Sequence, residues 1–145
     1  MRARGYRAMT ILLFMLMPAA CAGTGSIDDA LDAMLRGLGA HYTVAARHES
    51  GSFPDPGAEW RLVLKRDLAA TLRAAPNFGQ ADAADRAAFQ HSLQEAGLLD
   101  TPRSDAVLYR SDVVVPGTVC EAAPCGAYIL LTPGSGTVYA GLYKN

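Results

Sequence analysis

The chain has 145 residues, with 13 Lys and Arg against 14 Asp and Glu and a formal net charge of −1. Half of it is hydrophobic and 19% is charged, enough for one domain with a working core and no need of metal or many disulfides. The balance lacks the basic surface that phosphate binding needs, which argues against a nucleic-acid partner.

The first element is an address rather than a fold element. Arg2, Arg4 and Arg7 form a positive flank, and no acidic residue precedes Asp28. Met9 to Met17 are a short apolar run, Pro18 ends it, and Ala19-Ala20-Cys21-Ala22 supplies small residues. That order predicts a secretory signal peptide over 1–22, followed by a single domain over 23–145. A helix from Met9 to Ala22 would reach about 21 Å at about 1.5 Å per residue, short of a hydrocarbon core about 30 Å thick. Two exits are open. Cleavage after Ala20-Cys21-Ala22 discards Cys21 and leaves a soluble periplasmic or secreted protein. Alternatively Ala19-Ala20-Cys21 resembles a bacterial lipobox, Cys21 carries the lipid, and Gly23-Thr24-Gly25-Ser26 is a flexible tether. Pro18 stands where that pattern has an aliphatic or small residue, so the soluble form is the first reading and the lipid-anchored form the alternative. Losing 1–22 removes three of the 13 basic residues, leaving 10 against 14 acidic and a net charge of −4. That argues against adhesion to an anionic membrane by charge alone, so a lipid on Cys21 is the one membrane link the sequence offers.

Ser26 as N-cap, with Asp29 three residues on, predicts a helix over 27–37. Ile27, Ala30, Leu31, Met34, Leu35 and Leu38 keep helical spacing, and Gly37 and Gly39 supply the stop. His41 to Arg47 alternates as a strand does. Pro54-Asp-Pro-Gly is a loop. Asp55 as cap, Pro56 at the first helical position and the later Ala/Leu/Arg run predict a second helix over 57–75. Strand 59–65 followed by a helix starting near Asp67 is the alternative. A third helix is expected over 81–96, with Phe89, Leu93 and Ala96 at helical spacing and Gly97 as stop. Beyond Pro102 the chain is rich in β-formers, and strands are expected at 107–115, 117–120, 127–132 and 137–143, the last two as a hairpin. Helices first and strands later predict an α+β fold, with three helices packed on one face of a small antiparallel sheet.

Cys120-Glu-Ala-Ala-Pro-Cys125 predicts a disulfide, since an exported chain meets oxidising conditions. A ring this small stabilises by about 2 kcal/mol in the loop-entropy picture and pins a local turn. A metal site would need about four ligands, and this segment contains no histidine. No cofactor or metal is expected elsewhere. The three histidines lack H-x-x-x-H spacing. Asp28, Asp29 and Asp32 lie where a helix dipole already favours acids. His91 with Glu95 reads as a solvated helix pair. His48 with Ser50 or Ser52 could serve a small hydrolase, although no G-x-S-x-G elbow is present.

Tyr109, Tyr128, Tyr139 and Tyr143 gather in the β-rich half, where tyrosine serves sheet packing or a binding surface. Ser135-Gly136-Thr137-Val138-Tyr139 resembles the S-G-x-x-Y loop of the periplasmic and membrane-bound inhibitors of C-type lysozyme. That resemblance covers five residues; the family usually has a basic residue where Val138 stands. It implies a small exported β-barrel, with Ser135 and Tyr139 at or beside an inhibitory loop.

The expectation is therefore a non-enzymatic binding module of the cell envelope that holds a protein or cell-wall partner. An inhibitor or immunity protein against an envelope-directed hydrolase is one concrete form. Its contact surface is expected at Cys120–Cys125 and Pro133–Tyr139, with Ser135, Gly136, Tyr139 and Tyr128 as contact residues. A small hydrolase and a structural lipoprotein of an envelope complex are the alternatives.

Overall fold

A computed structural model describes residues 25–51 and 56–145. The expected signal peptide, Cys21 and Ser52 lie outside them. Among the described residues the order is α1 (Ile27–Gly37), β1 (Tyr42–Ser50), β2 (Gly57–Leu64), α2 (Ala69–Ala74), β3 (Gly79–Gln80), α3 (Ala83–Glu95), β4 (Val107–Val113), β5 (Cys125–Leu131) and β6 (Thr137–Lys144). The strands form one antiparallel sheet in the order β1-β2-β6-β5-β4-β3. The fold is α+β.

Local rules set the two longer helices. Ser26 and Asp29 close a reciprocal capping box on α1. Asp82 caps α3 by accepting from the Asp85 N–H at 2.8 Å. Both end alike. Gly39 and Gly97 take φ of 70° and 71°, Ala40 N–H returns to Leu35 C=O and Leu98 N–H to Leu93 C=O, each at 2.9 Å. These are Schellman closures, and a left-handed residue at that position favours glycine.

The expected helix over 57–75 is corrected. Residues 57–64 form a central strand and only Ala69–Ala74 is helical. The alternation of Trp60, Leu62 and Leu64 outweighed the Asp55-Pro56 start signal, because β2 has a neighbour on each side and satisfies its backbone there. Asp67 starts α2 instead, accepting from Ala69 N–H at 2.9 Å. Gly57 allows the close approach of β6: a Cβ there would lie 2.0 Å from Leu142 C=O. Gly117–Cys120 is not a strand either. It is a turn held by Thr118, whose hydroxyl donates to Val115 C=O at 2.8 Å, and it makes one isolated parallel bridge with Gly25. That bridge pins Gly25, within the stretch read as a tether.

The helices do not share one face. Ala30, Leu31, Met34 and Leu35 of α1 and Leu72 of α2 pack with Trp60, Leu62, Ile129, Val138, Ala140 and Leu142. Phe89 and Leu93 of α3 pack with Leu108, Tyr128, Leu130 and Tyr143. Side chains of β5 and β6 alternate between these two clusters, so they lie on opposite sides of the sheet. β5 is buried along its whole length, and a strand covered on both faces needs an apolar layer on each. This removes the arrangement with all three helices on one face.

Candidate functional site

The turn between β5 and β6 is built from Thr132, Pro133, Gly134, Ser135 and Gly136. Gly134 takes φ of 73°, Ser135 N–H donates to Thr132 C=O at 3.1 Å, and Thr137 N–H donates to Ser135 Oγ at 3.1 Å. Gly136 C=O accepts from Leu64 N–H at 2.9 Å. That bond ties the turn to the end of β2 and places Lys65, Arg66 and Asp67 beside it. Together these segments line a surface cleft of about 280 Å³ floored by Leu64, Leu131 and Val138. Lys65 also lines a second cleft of about 690 Å³, shared with Arg36, His41, Tyr42 and Val44.

Arg61, Arg73, Arg86 and Lys144 form no ion pair among the described residues, and neither do the two cations at this end. Arg36, Arg47, Arg103 and Arg110 each reach a carboxylate. Lys65 and Arg66 are exposed and have no carboxylate partner among the described residues.

Of the expected contact residues, Ser135 and Gly136 are exposed at this cleft. Tyr139 is half-buried on the α3 side of β6, opposite Arg61 in register, and burial pushes its phenol above the ordinary value. Tyr128 is in the core, stacked on Phe89 with ring centroids 5.5 Å apart, so it presents no contact surface. The Cys120–Cys125 disulfide is formed, with Cα atoms 5.2 Å apart, and both residues are buried. It opens β5, whereas the Pro133–Gly136 turn closes it. Six residue steps, about 20 Å, separate the two loops, so they are not one surface. Arg61, Lys65 and Arg73, which a single helix over 57–75 would have carried together, fall on a strand, a connector and a separate helix.

His48 lies on β1, exposed, directly opposite Glu59. Ser50 ends the same strand, opposite Gly57. His91 and Glu95 form the expected exposed pair at 3.4 Å. Asp28 accepts from Arg47 at 2.8 and 2.9 Å and from Trp60 Nε1 at 3.0 Å, and Asp32 accepts from Tyr42 at 2.8 Å. The three early aspartates thus serve packing and capping. No cluster of His, Cys, Asp and Glu able to hold a metal occurs among the described residues.

One polar group was missed from the sequence. Glu59 is fully buried between the sheet and α3. Its Oε1 accepts from both Ser92 Oγ and Tyr143 OH, and its Oε2 has no partner among the described residues. Gly141 makes room: a Cβ there would lie 2.8 Å from the Phe89 ring and 3.0 Å from Tyr143 OH. Burial, then the bond to Glu59, holds the Tyr143 phenol far above the ordinary tyrosine range. Glu59, Ser92 and Tyr143 are far apart in sequence, and nothing in their local pattern joins them. The group is sealed from solvent, so it serves to dock α3 rather than to meet a substrate.

The barrel implied by the lysozyme-inhibitor likeness is not the architecture found, since β1 and β3 stand at opposite edges of an open sheet. Comparison with protein-family models, with curated proteins and with solved structures finds no match.

Proposed function

We propose that this chain is an exported, non-enzymatic binding module of the cell envelope. Its contact surface is the strand end formed by Pro133–Gly136 and Lys65–Asp67. The observation that carries this reading is the juxtaposition of an exposed, pinned turn with two cations that form no ion pair among the described residues, in a domain of net charge −4 once residues 1–22 are removed. Unpaired cations beside a shaped cleft suit a partner that presents carboxylates, on a protein or a cell-wall polymer. An inhibitor or immunity role against an envelope-directed hydrolase is one concrete form of such binding. Export is supported by the Arg2–Ala22 pattern and by the disulfide, which suits an oxidising compartment.

The test is capture of partners from a periplasmic extract by the wild-type chain and by a Lys65→Ala, Arg66→Ala, Ser135→Ala variant. Loss of the captured species, with an unchanged melting curve, is expected. Equal recovery retires the site. A fluorophosphonate label that disappears in Ser50→Ala or Ser52→Ala would make the chain an enzyme and retire the non-enzymatic reading.

A further inference from the structure

β1 is an edge strand of nine residues, paired among the described residues with β2 alone. The direction of its backbone groups follows from the bonds at the two ends of β2. Leu64 N–H donates to Gly136 C=O, and Pro56 C=O accepts from Lys144 N–H. Even-numbered residues of β2 therefore turn their backbone groups towards β6 and odd-numbered ones towards β1. Gly57, Glu59 and Arg61 bond β1 through their register partners Ser50, His48 and Ala46. Arg47 and Glu49, lying between those partners, turn their N–H and C=O groups to the open edge, where no described residue meets them.

We infer that this edge pairs with the same edge of a second copy, antiparallel, about a two-fold axis at His48. In that register Arg47 stands opposite Glu49 of the second copy, and Glu49 opposite its Arg47. Each such pair exchanges both backbone hydrogen bonds, giving four in all. The side chains carry opposite charges on the same face, the α1 side. Glu49 has its side chain 77% exposed and, among the described residues, pairs with only the Arg47 of its own strand, at 3.3 Å. Its carboxylate is open to a second guanidinium. Opposite charges directly across an antiparallel pair stabilise it, and like charges oppose it. The register shift between Val44 and Ala46 ends the ladder on one side, since a bulge bends the strand away from a flat partner. Pairing is thereby confined to Ala46–Ser50. Five residues from each copy bury less than the 1,200–2,000 Å² typical of stable interfaces, roughly, so the dimer is weak and reversible.

The test uses the full chain carrying Cys21→Ser, which removes the remaining free thiol. Sedimentation equilibrium should show a concentration-dependent monomer–dimer exchange. Glu49→Pro removes one open-edge N–H and none of the bonds to β2, so it should abolish the dimer while leaving the melting curve in place. Glu49→Arg sets arginines across both pairs and should weaken the dimer about tenfold or more, roughly the effect of two lost attractions. His48→Cys should form an interchain disulfide in air, because partners in a non-hydrogen-bonded pair lie about 4.5 Å apart at Cα. Ala46→Cys, four positions from its own image, should not. A monomer at every concentration up to millimolar overturns the inference. So does a dimer untouched by Glu49→Pro, or crosslinking of Ala46→Cys as fast as His48→Cys.

Discussion

The two faces of the sheet solve the same problem differently. On the α1 side the centre is apolar and the polar contacts sit at the rim. Asp28 meets Arg47 and Trp60 Nε1, and Asp32 meets Tyr42. On the α3 side a carboxyl group lies at the centre, served by Ser92 and Tyr143. The rim carboxylates keep access to water, so losing one of them costs less. A sealed acceptor cannot be reached by water, so its donors must come from the fold itself. The α1 face is thus held by volume, and the α3 face by volume together with one geometrically exacting network.

The sharpest way to break that comparison is to delete volume on the α1 side. Leu35 is fully buried there, and Leu35→Ala should cost about 4 kcal/mol in denaturant unfolding. Next is Glu59→Ala, which strands two buried hydroxyls and should cost about 3 kcal/mol. Tyr143→Phe, tested alongside it, should cost less, because Ser92 still serves the carboxyl oxygen. If Glu59→Ala is neutral, the network does not hold α3. Asp28→Ala leaves the buried Trp60 N–H without its acceptor and should cost about 1 kcal/mol. An effect as large as that of Glu59→Ala would erase the distinction between rim and centre.

The smallest expected effect is alkaline. Burial, then the bond to Asp32, pushes Tyr42 up to about 12. The unfolded chain releases that proton near the ordinary value of about 10, so above it the unfolded state binds fewer protons. This contribution to stability is present below pH 10 and is lost as pH rises towards 12. In Tyr42→Phe the fall in stability over that window should be shallower. At the acid end the sign reverses. The hydrogen bond from Arg47 holds Asp28 below the ordinary carboxylate value, so its contribution is lost as the pH falls through that range.

What was legible in the sequence was local. Helix α1 runs over the expected residues because cap, dipole, apolar spacing and terminal glycines all lie within one window. Helix α3 and strands β1, β4, β5 and β6 were legible for the same reason, with ends shifted by a few residues. Residues 57–64 were misread because both periodicities fit them, and the deciding fact is a neighbour from each of two distant segments. Of the candidate site, the turn at Ser135 and Gly136 was visible through its glycines and proline. Lys65 and Arg66 were visible only as charges on a supposed helix. That they stand beside the turn depends on one hydrogen bond, Leu64 to Gly136, across 72 positions of chain.

The sequence alone determined the α+β class, the close cysteine pair and the type and rough place of most elements, since capping, alternation and turn chemistry act between residues a few positions apart. Only tertiary structure decided that helices cover both faces, that Glu59 meets Ser92 and Tyr143, and that the two expected contact loops lie at opposite ends of β5. Those facts depend on strand order. Strand order follows from how the whole set of apolar faces is buried at once, which no single window of the chain encodes.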